Sequence, residues 1–195
     1  MWKADNKPLD FTPHKDDVWN LVKEQYCELL IPMMKNIEKP VLYLGGKKMG
    51  VYLNSIFGGF RYMDDCDSYG TVCIFDTIES LFDPFYFMTS IKFYYCNPNT
   101  RIFITHPHRA VMNFWSYNHW QEYDPERFMY LIDKCGFDIV QHKYKIIKRK
   151  FKIGLRPFLR FLFGRYYLHA YELRVKNVKK DNMVNKFLLA KLYNN

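Results

Sequence analysis

The chain has 195 residues, enough for one domain with a sizeable core, and its 49% apolar and 25% charged residues exclude disordered and fibrous classes. No stretch reaches the roughly 18 apolar residues of a membrane span, and "MWKADNKPLD" holds no apolar signal core, so a cytoplasmic location is expected. The net charge of +9 is uneven: residues 143–180 hold 13 Lys and Arg against the single acid Glu172, which is +12, and leave the rest at −3.

In chain order, "TPHKDDVWNLVKEQYCELLIPMMKNI" reads as a helix with Thr12 as N-cap and Pro13 at the first helical position. Val18, Leu21, Val22, Tyr26, Leu29, Leu30 and Met33 give it one apolar face, and Pro32 should end or kink it. "VLYLGGKKMG" follows, a short apolar strand running into a turn made by Gly45, Gly46 and Gly50. "VYLNSIF" is a short helix stopped by Gly58 and Gly59. "FRYMDD" reads as a second strand ending on acids, "TVCIFD" as a third, and "RIFITHP" as a fourth closed by Pro107.

"YDPERFMYLIDKCGFDIV" carries the clearest local signal. Asp124 caps a helix, Pro125 takes its first position, Phe128, Leu131, Ile132 and Cys135 form its buried stripe, and Gly136 stops it. "FDIVQHKYKI" then alternates as a strand, and "HAYELRVK" is the last one. Strands alternating with helices predict an α/β layer structure with a mostly parallel sheet, whose two final strands, lacking a crossover helix between them, can pair antiparallel at one edge. The expected organisation is one domain over 1–195: a helical cap over 1–40, a core over 41–142, and a basic segment with the final strands over 143–180. Five scattered cysteines without C-x-x-C spacing point to a reducing compartment and no structural metal, with Cys73 and Cys135 as core residues.

The pieces "FDTIESLFDP", "RIFITHP" and "HWQEYDPERFMYLIDKCGFDIV", in that order and with "VLYLGG" upstream, resemble the class I S-adenosylmethionine (SAM)-dependent methyltransferases, and within them the small-molecule and ubiquinone-biosynthesis-like branch. The resemblance covers about seventy residues, 71–140, and implies a Rossmann-like sheet with SAM across the C-terminal ends of its first strands. It casts Gly45, Gly46 and Gly50 as the cofactor turn, Asp64 or Asp65 as the acid on the ribose hydroxyls, and Asp76 and Glu79 as cofactor-side positions. The plainer alternatives are a strand-to-helix turn for the glycines, turn acids for Asp64 and Asp65, and helix-start acids for Asp76 and Glu79.

His119 is the candidate for acid–base work, with Glu122 and Tyr123 as neighbours able to orient it. His106 and His108, in "THPHR", are expected at the pocket mouth, as loop residues or as a metal pair.

The sequence also departs from the family pattern. Tyr43 stands where the family has an acid, Lys47 and Lys48 occupy the place of a central glycine, and Gly50 comes one position late. A lysine strains a turn that needs positive φ, so the resemblance is to a degraded cofactor loop. Only 20 residues separate Gly50 from Thr71, which predicts a fold abbreviated by about one β-α unit.

The expected function is methyl transfer from SAM to a small-molecule or lipid-linked acceptor. The alternative is a catalytically silent module of this fold that acts through its basic C-terminal segment. "KRKFKIGLRPFLRFLFGR" interleaves basic and aromatic residues, which suits a cover over the substrate site, a peripheral anionic membrane surface, or, as the weakest case, a nucleic-acid groove.

Overall fold

A computed structural model describes residues 16–61, 68–109, 121, 123–146 and 166–176. Thr12, Asp64, Asp65, His119 and most of the basic segment therefore lie outside the described residues. In order, the chain forms α1 (Asp16–Met33), β1 (Val41–Gly45), α2 (Lys47–Phe57), β2 (Phe60–Arg61), β3 (Thr71–Phe75), a 3₁₀ turn (Ile78–Ser80), α3 (Pro84–Tyr95), β4 (Arg101–Arg109), α4 (Pro125–Lys134), β5 (Phe137–Ile146) and β6 (Tyr166–Val175). The strands form one six-stranded sheet in the order β2-β1-β3-β4-β6-β5.

The pairs β1/β2, β1/β3 and β3/β4 are parallel, and β6 is antiparallel to both β4 and β5. The fold is thus the α/β, mostly parallel Rossmann-like sheet that the alternation of elements predicts. The antiparallel end differs in one detail: β6 inserts between β4 and β5, so β5 alone is the edge strand.

Each face of the sheet has its own core. On one face α1 and α2 pack Leu30, Met33, Met49 and Leu53 against Val41, Tyr43, Cys73 and Phe103. On the other, α3 and α4 pack Met88, Ile91, Phe128 and Ile132 against Val72, Ile74, Ile102 and Tyr171. Cys73 and Cys135 are both buried, as their apolar surroundings require. Arg101 ties α1 to the sheet: its Nε meets Glu172 Oε1 at 2.8 Å, and its Nη1 donates to the carbonyls of Lys35 and Asn36 just beyond the helix.

The capping signature at α4 is realised, with Asp124 accepting from the Arg127 backbone N–H at 2.8 Å and Gly136 at φ +78°. The same signature builds α3, which the apolar periodicity did not reveal. Asp83 accepts from Tyr86 N at 2.9 Å and Pro84 takes the first turn.

Two element readings are corrected. The helix after β1 begins at Lys47 and not at Val51, because a single residue, Gly46, suffices to turn the chain. β4 does not close at Pro107 but runs on to Arg109. β3 pairs only as far as Thr105, so a proline two places later interrupts no ladder on that side.

Candidate active site

The C-terminal ends of β1, β3 and β4 meet at one edge of the sheet, where Gly45 lies beside Phe75 and Phe75 beside Thr105. Gly45 must be glycine for packing reasons: a Cβ there would stand 2.7 Å from the Phe75 carbonyl oxygen and 2.8 Å from the Tyr43 hydroxyl. Tyr43 is buried and its hydroxyl donates to the Gly46 carbonyl at 3.0 Å, bracing the turn from beneath. Gly46 is the N-cap of α2 with ordinary dihedrals (φ −64°, ψ 132°) and no side-chain cap, so the first N–H groups of α2 point out of the turn.

Gly50 is corrected out of the turn. It is buried in the first turns of α2, its N–H donating to the Gly46 carbonyl at 3.1 Å. Lys47 and Lys48 are the exposed opening residues of α2, not members of a loop, and neither adopts positive φ. The strain expected for lysine in this stretch is therefore absent.

Asp76, directly after β3, is one of two non-glycine residues with positive φ among those described (φ +50°). Aspartate tolerates that region better than most residues, and such outliers gather at functional sites. The turn is held by Thr105, whose Oγ1 accepts from Asp76 N at 3.2 Å and donates to Asp76 Oδ1 at 3.3 Å. From the other side the Tyr26 hydroxyl of α1 donates to Asp76 Oδ2. Thr77 Oγ1 donates to the Leu44 carbonyl at 3.2 Å, which locks the Asp76 turn to the end of β1.

Glu79 sits on the 3₁₀ turn and is 2% exposed. Burial, and next the nearby Asp76 carboxylate, push its pKa well above the usual carboxylate range. Burial likewise raises Asp76 to about 6, against the hydrogen bonds from Tyr26 and Thr105 that favour its charged form. One edge of the sheet thus sets two carboxyl groups, one of them titrating near neutral pH, beside the uncapped N-terminus of a helix. The backbone there accepts anionic groups and the carboxyl pair accepts cationic ones.

Residues before α4 join this edge: Gln121 N donates to the Glu79 carbonyl at 3.2 Å, and Gln121 Oε1 accepts from the Tyr123 hydroxyl. Tyr26 and Thr105 are site residues that sequence reasoning passed over. Tyr26 was one member of an apolar stripe, and nothing within 50 positions marks its partner. Thr105 offered the weak signal of a polar residue at the end of a buried strand.

His106 is corrected from the pocket mouth, whereas the half-buried His108 stands next to the last residue of β4. Both lie within β4, and His106 is fully buried against Phe128 of α4 (ring centroids 4.2 Å) and stacked on His169 (5.3 Å). His142 Nε2 and His169 Nδ1 are 2.9 Å apart. Burial, aided by the neighbouring imidazoles, lowers the pKa of His106 to about 3 and of His169 to about 4. Among the described residues no three His, Cys, Asp or Glu side chains are placed to hold a metal ion.

No known protein-family model matches this sequence, and no curated protein has a similar one. Solved structures match in fold. The chain superposes on phosphoethanolamine N-methyltransferase 2 of Haemonchus contortus, solved with phosphomonomethylethanolamine and S-adenosylhomocysteine, with a TM-score of 0.54 at 9% identity. That match covers 78% of this chain, which spans only 52% of the Haemonchus enzyme. Coclaurine N-methyltransferase, bound to N-methylheliamine and S-adenosylhomocysteine, gives 0.54 at 10% identity over 89% of this chain and 76% of its own. A Listeria monocytogenes chain described as an S-adenosylmethionine-dependent methyltransferase gives 0.51 at 10% identity, covering 80% and 100%. At these identities the shared property is the fold, a Rossmann-like sheet of the kind carried by SAM-dependent methyltransferases.

Proposed function

We propose that the protein transfers the methyl group of SAM to a small-molecule or lipid-linked acceptor. The observation that carries this reading is the edge where the uncapped start of α2 stands beside the Asp76–Glu79 carboxyl pair, on a sheet shared with methyltransferases. SAM is both an amino acid and a sulfonium, so a helix N-terminus and adjacent carboxyls complement its two signs of charge.

In this reading Gly45 and Gly46 shape the backbone that holds the cofactor, with Gly50 packing the helix behind them. Asp76 and Glu79 supply the polar wall. Bound SAM supplies an electrophilic methyl group, so the chain's own work is alignment and, where the acceptor carries a proton, its removal. Asp76, near pH 6 and held by Tyr26 and Thr105, is suited to take that proton. His119, outside the described residues, remains a second candidate for the proton on its chemistry alone. Asp64 and Asp65 remain candidates for the ribose hydroxyls through the resemblance alone.

The test is calorimetric titration of SAM and S-adenosylhomocysteine into the full chain and into Asp76→Asn. Saturable binding to the wild type, weakened at least tenfold by the substitution, is the expected outcome. Absence of binding to either ligand overturns the proposal and leaves the silent-module reading, in which the basic segment does the binding.

A further inference from the structure

The antiparallel end of the sheet gathers four of the chain's six histidines on one face. Side chains alternate along a strand, and in this register His106 and His108 of β4, His169 of β6 and His142 of β5 all face α4. His106, His169 and His142 form a row across three strands, with ring centroids 5.3 and 5.2 Å apart and nearly parallel planes. His169, the middle ring, is 5% exposed, whereas His142 stands at the exposed rim on the edge strand.

The hydrogen bonds of this row leave no place for extra protons. His142 Nε2 and His169 Nδ1, 2.9 Å apart, share one hydrogen, so one ring donates and the other accepts. That bond persists with both rings neutral or with one charged. With both charged, two N–H groups point at each other and neither has an acceptor. His106 Nδ1 donates to the Pro107 carbonyl at 3.3 Å, and the buried Nε2 atoms of His106 and His169 meet no partner among the described residues.

The surroundings offer the row little compensation for charge. It meets His108 from β4, Tyr144 from β5, Tyr167 and Tyr171 from β6, and Phe128 from α4. The Asp124 carboxylate at the start of α4 acts on Tyr171. Lys143, Lys145 and Glu172 alternate to the opposite face, where Lys145 pairs with Glu28 of α1 and Glu172 with Arg101.

We infer that this row is an acid-operated latch on the edge strand: protons entering it break the His142–His169 bond and part β5 from β6, while the parallel strands stay paired. β5 is the element that yields, because β6 is paired on both sides and β5 on one. Burial, and next the charges of His142 and His108, lower the pKa of His169 to about 4, and burial lowers that of His142. The closed latch is therefore complete above about pH 6.5, where free imidazole is neutral, and is lost as pH falls towards 4. This inference is independent of the reaction proposed above.

The test is amide hydrogen exchange of the full chain by mass spectrometry between pH 7 and pH 4.5, read as protection factors so that intrinsic exchange rates cancel. Peptides spanning β5 are expected to lose protection at least tenfold, the sense and scale that a histidine at about 4 when closed and about 6.5 when open requires. Peptides spanning β3 are expected to change less than threefold. His169→Gln, and His142→Gln at the exposed rim, should each reduce the acid loss in β5 at least threefold, with far-UV circular dichroism reporting that they are folded. Glu28→Gln, which removes the carboxylate on Lys145, should leave the acid loss as in the wild type. Protection of β5 that holds to pH 4.5 overturns the inference, as does loss in β3 and β5 together, which is global unfolding. Acid loss undiminished in both histidine variants, or abolished by Glu28→Gln, assigns the response to carboxylates and also overturns it.

Discussion

Gly45 and Asp76 show two ways in which a single residue shapes this site. Gly45 is demanded by close packing, and Gly45→Ala is expected to destabilise the fold by about 1–3 kcal/mol, as overpacking does, read from denaturant unfolding. Pairing it with Tyr43→Phe should recover only part of that loss, since the Phe75 carbonyl oxygen is still 2.7 Å from the new methyl. Asp76 is governed by charge. Tyr26 donates to it and favours its ionised form, so Tyr26→Phe should move its pKa upward from about 6, followed by carboxyl NMR titration. If the ionised form holds the cofactor, affinity for SAM strengthens as pH rises through about 6 in the wild type, and Asp76→Asn abolishes that dependence. Gly45 and Asp76 were both legible as candidates because they end strands that the apolar runs mark out. The partners that tune them, Tyr26 and Tyr43, were not, since an apolar stripe does not say which hydroxyl reaches a carboxylate or a carbonyl.

At the scale of elements, one local device recurs. Asp83-Pro84 and Asp124-Pro125 each start a helix with an aspartate cap followed by proline. Replacing Asp124 with alanine should lower stability by about 1 kcal/mol, measured from thermal or denaturant midpoints, and Asp83→Ala should behave alike. α4 was readable because its cap precedes a clean amphipathic stripe. α3 was hidden because exposed aromatics on its outer face blur the periodicity that separates inside from outside. β4 illustrates the opposite error. A proline reads as a strand end, yet whether it ends one depends on whether a neighbouring strand still needs its N–H, and that is decided by where β3 stops.

For the whole molecule, the antiparallel end of the sheet stacks His106, His142, His169 and Tyr171 on the α4 face. Burial lowers the pKa of His106 and His169 in the fold, so below about pH 6.5 the unfolded chain takes up their protons first. Stability contributed by the neutral rings is complete above that pH and is lost as pH falls towards their folded values. The Asp76–Glu79 pair acts in the other direction, since its raised pKa values favour the folded state at low pH and lose that contribution as pH rises. A difference measurement separates the two. The stability of His106→Phe relative to wild type should be constant above pH 6.5 and rise by about 1.4 kcal/mol per pH unit below it, as seen by denaturant titrations at several pH values. A flat difference would show that His106 is not held neutral by burial.

The sequence by itself determined the α/β class, the capped α4, the span of β5 and the strand ends that carry Gly45 and Asp76. Each of these is written within a few consecutive residues, as apolar runs, caps or turn formers. Only the tertiary structure decided that β6 inserts between β4 and β5, that Gly50 is helical, that His106 is core, and that Tyr26 and Thr105 hold Asp76. Those outcomes depend on contacts between segments far apart in the chain, such as Arg101 with Glu172, 71 positions on. No local pattern encodes such contacts, because burial and hydrogen bonding are settled by which surfaces meet when the chain closes on itself.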